Sequence, residues 1–135
     1  MKKKTVVIAC ALALAAFAAL ACTVCAFYRL PPRTDTGYSK IYTEDEILSA
    51  EETVKEKFKE LKGCKLFALT YAGDEESLSE YDYSEDYDQA IVINSVFLSP
   101  FFGGGAWNAR EIYTWHFILM RSQGGEWKLL TYGYA

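Results

Sequence analysis

The chain has a single histidine, His116, only three prolines, and four cysteines of which three fall in the first 25 residues. One histidine and one cysteine beyond that point, Cys64, are too few ligands for a zinc site. With Cys64 alone, no disulfide can form within the C-terminal part, and packing has to stabilise it. Sparse proline and a 51% apolar composition exclude a disordered tail. Positive charge is scarce where negative charge is plentiful. Residues 30–135 hold ten Lys or Arg against eighteen Asp or Glu, while residues 1–29 hold four bases and no acid. An acidic domain predicts no nucleic-acid partner and disfavours an anionic lipid surface, because attraction to phosphate supplies most of such affinity. At 135 residues there is room for one domain.

Residues 1–29 read as a signal or membrane-anchor segment. Lys2, Lys3 and Lys4 precede a stretch from Thr5 to Tyr28 with no charge. Val6–Phe27 would span about 33 Å as a helix, enough for a hydrocarbon core of roughly 30 Å. That length favours an uncleaved transmembrane anchor over a cleavable signal, whose apolar stretch is shorter. Ala19-Leu20-Ala21 ahead of Cys22 also fits a signal-peptidase site and, with Leu one place late, a bacterial lipobox that would lipidate Cys22. Anchor, lipoprotein and secreted protein share one expectation: lysines stay inside, so the rest of the chain is extracytoplasmic, held at the cell membrane in the first two cases.

Leu30–Gly37, with two prolines and small polar residues, reads as a stalk, and residues 38–135 as the domain. Thr43 followed by Glu46 is a capping box, and Ile47, Ala50, Val54, Phe58 and Leu61 form one apolar stripe ending at Gly63. The spacing predicts a helix over 44–62, with Glu51 and Lys55 paired on its polar face. Four strands are predicted at Lys65–Ala72, Gln89–Leu98, Glu111–Arg121 and Glu126–Tyr134, the last two joined by a Ser122–Gly125 turn. Asp74–Asp88 lies between the first two as an acidic loop. The order implies an α+β fold: an N-terminal hydrophobic helix, then one amphipathic helix packed on a curved four-stranded antiparallel sheet. In the third strand Tyr113, Trp115, Phe117 and Leu119 share one face, and Ile112, Thr114, His116, Ile118 and Met120 share the other. Neither face is polar enough for water, so the second face meets a loop, a ligand or a second chain.

The helix ending in Leu61-Lys62-Gly63-Cys64, the strand Leu66–Tyr71, and the closing pair Tyr113–Arg121 and Glu126–Tyr134 carry a resemblance. In them, residues 38–135 resemble a small cystatin-like or NTF2-like domain of uncharacterised extracytoplasmic Gram-positive (lipo)proteins. The resemblance implies a helix-on-sheet fold. It brings no catalytic residue and no cofactor, and with a single helix it does not imply the deep pocket of the larger enzymes.

Among chemistry-bearing residues, His116 sits mid-strand among apolar neighbours and reads as structural. Its functional alternative is a small-pocket enzyme with His116 as general acid or base beside Asp82, Asp86 or Asp88. A Cys64–His116 nucleophile pair has no supporting sequence context. Asp82, Ser84, Asp86 and Asp88 alternate as calcium ligands would, but Tyr87 and Ile93 stand where an EF-hand needs Gly and Glu. Phe101-Phe102-Gly103-Gly104-Gly105-Ala106-Trp107 lacks the Lys-Ser/Thr of a phosphate loop. Its rings either fold back on the sheet or line a contact surface, which makes Phe101, Phe102 and Trp107 the candidate binding residues. The expected function is a membrane-tethered binding or interaction module without catalysis, metal or cofactor, its protein or small-molecule partner unspecified.

Overall fold

A computed structural model describes residues 2–81 and 86–135, and the chain divides into two compact units, Met1–Pro31 and Pro32–Ala135. The first unit is helix α1, Lys2–Arg29, whose most apolar window has a mean hydropathy of 2.5. It is long and apolar enough to cross a membrane, and a signal sequence has the same character.

In the second unit the Thr43 hydroxyl accepts the Glu46 N–H while the Glu46 carboxylate accepts the Thr43 N–H. This reciprocal cap starts helix α2, Glu44–Phe58. The helix ends four residues before the predicted 62. Lys59, Glu60 and Leu61 donate to the carbonyls three residues earlier, so the chain tightens into turns while Leu61 still reaches the core. Ile47, Ala50, Val54 and Phe58 are buried as their spacing predicts.

The sheet has five strands, not four: β1 Arg33–Asp35, β2 Lys65–Tyr71, β3 Gln89–Leu98, β4 Ile112–Arg121 and β5 Lys128–Tyr134, in the spatial order β1-β2-β3-β4-β5. It is mostly antiparallel and open. The extra strand comes from the segment read as a stalk: Arg33, Thr34 and Asp35 pair in parallel with Ala68, Leu69 and Thr70. Three residues carry no legible period, and the free edge of β2 orders them. The acidic loop also contains a helix, α3, Asp74–Tyr81. It stands where β2 has ended, and its buried Ser77 hydroxyl takes the Val92 N–H that a strand would otherwise accept. Asp74 anchors it by accepting from Ser39, Lys40 N–H and the Tyr71 hydroxyl.

One core lies between α2 and the sheet, where Leu69, Ile91, Ile93, Phe97, Phe117 and Leu119 are fully buried. Both ends of α2 are fastened. At the start, Glu46 pairs with Arg121, whose guanidinium lies 4.2 Å from the Trp127 ring centre, while the Trp127 indole N–H donates to the Glu46 carbonyl. At the end, the Phe58 ring meets Phe97 at 5.0 Å and Phe117 at 5.5 Å. Replacing that ring leaves a cavity that α2 cannot close without leaving the sheet. Phe58→Ala is expected to cost about 3–5 kcal/mol in urea denaturation of the full chain in micelles. A loss under about 1 kcal/mol would mean the helix is held by its N-terminal end alone.

Candidate functional site

Residues 99–111 connect β3 to β4 through a knit loop rather than a free hinge. Ser99 N–H donates to the Glu111 carbonyl and its hydroxyl to the Asn108 carbonyl at 2.5 Å. Gly103 and Arg110 both donate to the Pro100 carbonyl. Gly103 has φ +68, and a Cβ there would lie 2.9 Å from the Trp107 carbonyl oxygen, so only glycine fits this turn. A two-way bridge between Gly104 and Trp107 then sends the indole inward.

The three candidate rings therefore separate. Trp107 is half-buried against the core, 5.5 Å from Phe97, 5.1 Å from Tyr113 and 5.0 Å from Trp115. Phe101 and Phe102 lie outside, 54% and 90% exposed, edge to face with each other. The Arg110 guanidinium sits 4.8 Å from the Phe101 ring centre. Sequence reasoning grouped all three residues. The structure makes Trp107 the root of the loop and the two phenylalanines its tip.

The second sheet face is half covered. Ala90, Val92 and Met120 are buried outside the main core at one end. Ile118, level with Val92, is half-buried; towards the other end Val96 and Leu98 are half-buried, and Thr114 and Ile112 are exposed. A polar row crosses its middle, since Thr70 pairs with Asn94, Asn94 with His116, and His116 with Gly133. His116 is half-buried and makes no ion pair with a carboxylate among the described residues. Among the described residues the buried Asn94 Oδ1 and Trp115 Nε1 atoms have no hydrogen-bond partner. A shallow depression of about 250 Å³ at the covered end is lined by Ile41, Tyr42, Leu78, Asp88 and Gln89, without His116.

Cys64 packs half-buried at the edge of the core, and burial raises its thiol pKa, which disfavours the nucleophilic thiolate. His116 lies level with Asn94, four ladder steps from Leu98, the partner of Lys65, and Cys64 is one residue further, so about 16 Å of strand separates the two along the sheet. Cys22, the candidate lipidation site, lies on α1. Of the calcium-type residues and carboxylates considered beside His116, Asp82 and Ser84 fall outside the described residues. The Asp86 carbonyl accepts from the Ser122 hydroxyl, and the Asp88 carboxylate accepts the Gln123 N–H at 2.9 Å, so both brace the β4–β5 turn.

One residue was misread. Glu51 is not on the polar face paired with Lys55; Lys55 pairs with Glu52 instead, and Glu51 is fully buried. Its spacing, four after Ile47 and three before Val54, places it within the apolar stripe, which was the available signal. No family model, no curated protein and no solved structure matches the chain, so the fold stands on its own geometry.

Burial pushes the Glu51 carboxyl up to about 7, with nearby Lys55 and the Asp35 backbone opposing and the Asp35 and Glu52 charges adding to the rise. The unfolded chain ionises this group near its ordinary 4.5, while the folded chain keeps the proton to about 7. Stability therefore falls as pH rises between these values, because the native state binds more protons. Hydrogen bonds from Thr43 and Arg121 lower Glu46, and those from Ser39 and Lys40 lower Asp74. Their stabilisation is lost only at more acidic pH. Urea denaturation of the full chain in micelles is expected to lose on the order of 2–3 kcal/mol between about pH 5 and 8. Glu51→Gln should flatten the slope and stabilise the chain at the upper end. An unchanged slope would show that the carboxylate reaches water.

Proposed function

We propose that the chain is a membrane-tethered extracytoplasmic module that acts by binding rather than catalysis, with the 99–111 loop as its contact element. The observation that carries this reading is the division of the loop's rings. Trp107 fastens the loop to the core, and Phe101 and Phe102 are held in water at a cost that contact with a partner would relieve. The tether rests on α1, with its lysine-rich start and uncharged middle. A helix on one face of an open antiparallel sheet supports the cystatin-like or NTF2-like resemblance as a reading of the domain. Retention as an anchor is favoured over lipidation at Cys22 by the length of the apolar run.

The test sets the loop against the histidine. In cells stripped of the native copy, His116→Ala is expected to restore whatever function is lost, while Phe101→Ser with Phe102→Ser is not, both being made at wild-type level. The reverse pattern would overturn binding in favour of chemistry at His116. Protease added to intact protoplasts should remove an epitope placed after Ala135. Protection of that epitope would contradict the extracytoplasmic placement.

A further inference from the structure

The tip of the loop and the point at which the chain enters the domain belong to the same end of the sheet. Parallel pairing of β1 with β2 brings the chain in from the end at which β2 starts, with Arg33 level with Ala68. At that end Lys65 pairs with Leu98, the last residue of β3, and the 99–111 loop follows directly. The C-terminal end of α2 arrives there too, since Gly63 lies against Pro100. Only residues 30–32 separate Arg29, the last residue of α1, from Arg33. Four such peptide steps reach at most about 14 Å. A bilayer that holds Val6–Phe27 would therefore keep this end of the domain at its surface.

The charges are sorted along the same axis. At the far end lie the acidic first turns of α2 and α3, together with Asp86 and Asp88. At the end where the chain enters, Arg33, Lys62 and Arg110 are exposed and make no ion pair among the described residues, Lys57 and Lys59 are paired with glutamates, and the exposed Glu111 beside Arg110 accepts from the Asn108 amide. The acidic total, which by itself disfavours an anionic surface, averages over this gradient.

Resting on the tether reading above, we propose that Phe101 and Phe102 insert into the interfacial region of the bilayer that holds α1, with Arg33, Lys62 and Arg110 meeting anionic lipid headgroups. Two exposed rings beside a cation are the amphipathic pairing that a headgroup layer accepts, with rings toward the acyl boundary and the charge at the phosphates.

The test uses the full chain reconstituted in vesicles that are roughly one-third phosphatidylglycerol in phosphatidylcholine. A photo-crosslinking phenylalanine analogue is placed singly at position 14 within α1, at position 102, or at position 78, an exposed leucine site at the far end. Lipid adducts are expected at 14 and 102 and not at 78. Replacing the anionic lipid should lower the yield at 102 by about threefold or more while leaving 14 unchanged, and Lys62→Glu should act in the same direction. Adducts at 14 with none at 102, or adducts from 102 to protein alone, would overturn the lipid contact and leave the tether standing. Absence of adducts at 14 would overturn the tether and the contact together.

Discussion

Phe97 is the ring on which the arrangement depends. It is fully buried near the end of β3 and meets Phe58 of α2, Trp107 of the loop, and Tyr113 and Trp115 of β4. Edge-to-face and stacked contacts of this kind add to simple burial and fix ring orientation as well as energy. One side chain thereby sets where α2 ends on the sheet, where the loop is rooted and which face of β4 is internal. The polar node of Glu46, Arg121 and Trp127 does the corresponding work at the other end of the helix. Between the two, α2 has one orientation across the strands.

From this follows the division between structure and contact. A sheet with apolar residues on both faces and one long helix can bury only one face fully. Here one half of the second face is also buried, leaving the other half open beside a loop whose inner ring is committed to the core. The rings beyond Trp107 have no internal place left to go. Their exposure is a consequence of a rooted loop, and Gly103, where a Cβ would collide with the Trp107 carbonyl, permits the turn that produces it.

Much of this was legible in the sequence because it is written locally. The capping box, the stripe from Ile47 to Phe58, four strands and the alternation of Tyr113, Trp115, Phe117 and Leu119 all depend on near neighbours. What escaped depends on distant ones. Strand β1 is ordered by the edge of β2, and helix α3 by Ser77 completing the β3 ladder and Asp74 gathering three donors. Glu51 was read from its charge when its spacing placed it inside. The ring cluster at 101–107 was read as one group without its division, because a sequence does not state which ring the glycine turn sends inward.

The central claim is that the loop's inner ring is structural and its outer rings are free for contact. Paired urea denaturation of Trp107→Ala and Phe102→Ala, in the full chain in micelles, measures it directly. The account expects Trp107→Ala to lose at least about 2 kcal/mol, and Phe102→Ala to stay within about 0.5 kcal/mol of wild type. Equal losses, or a larger loss at Phe102, would place the outer ring in the core and contradict the account.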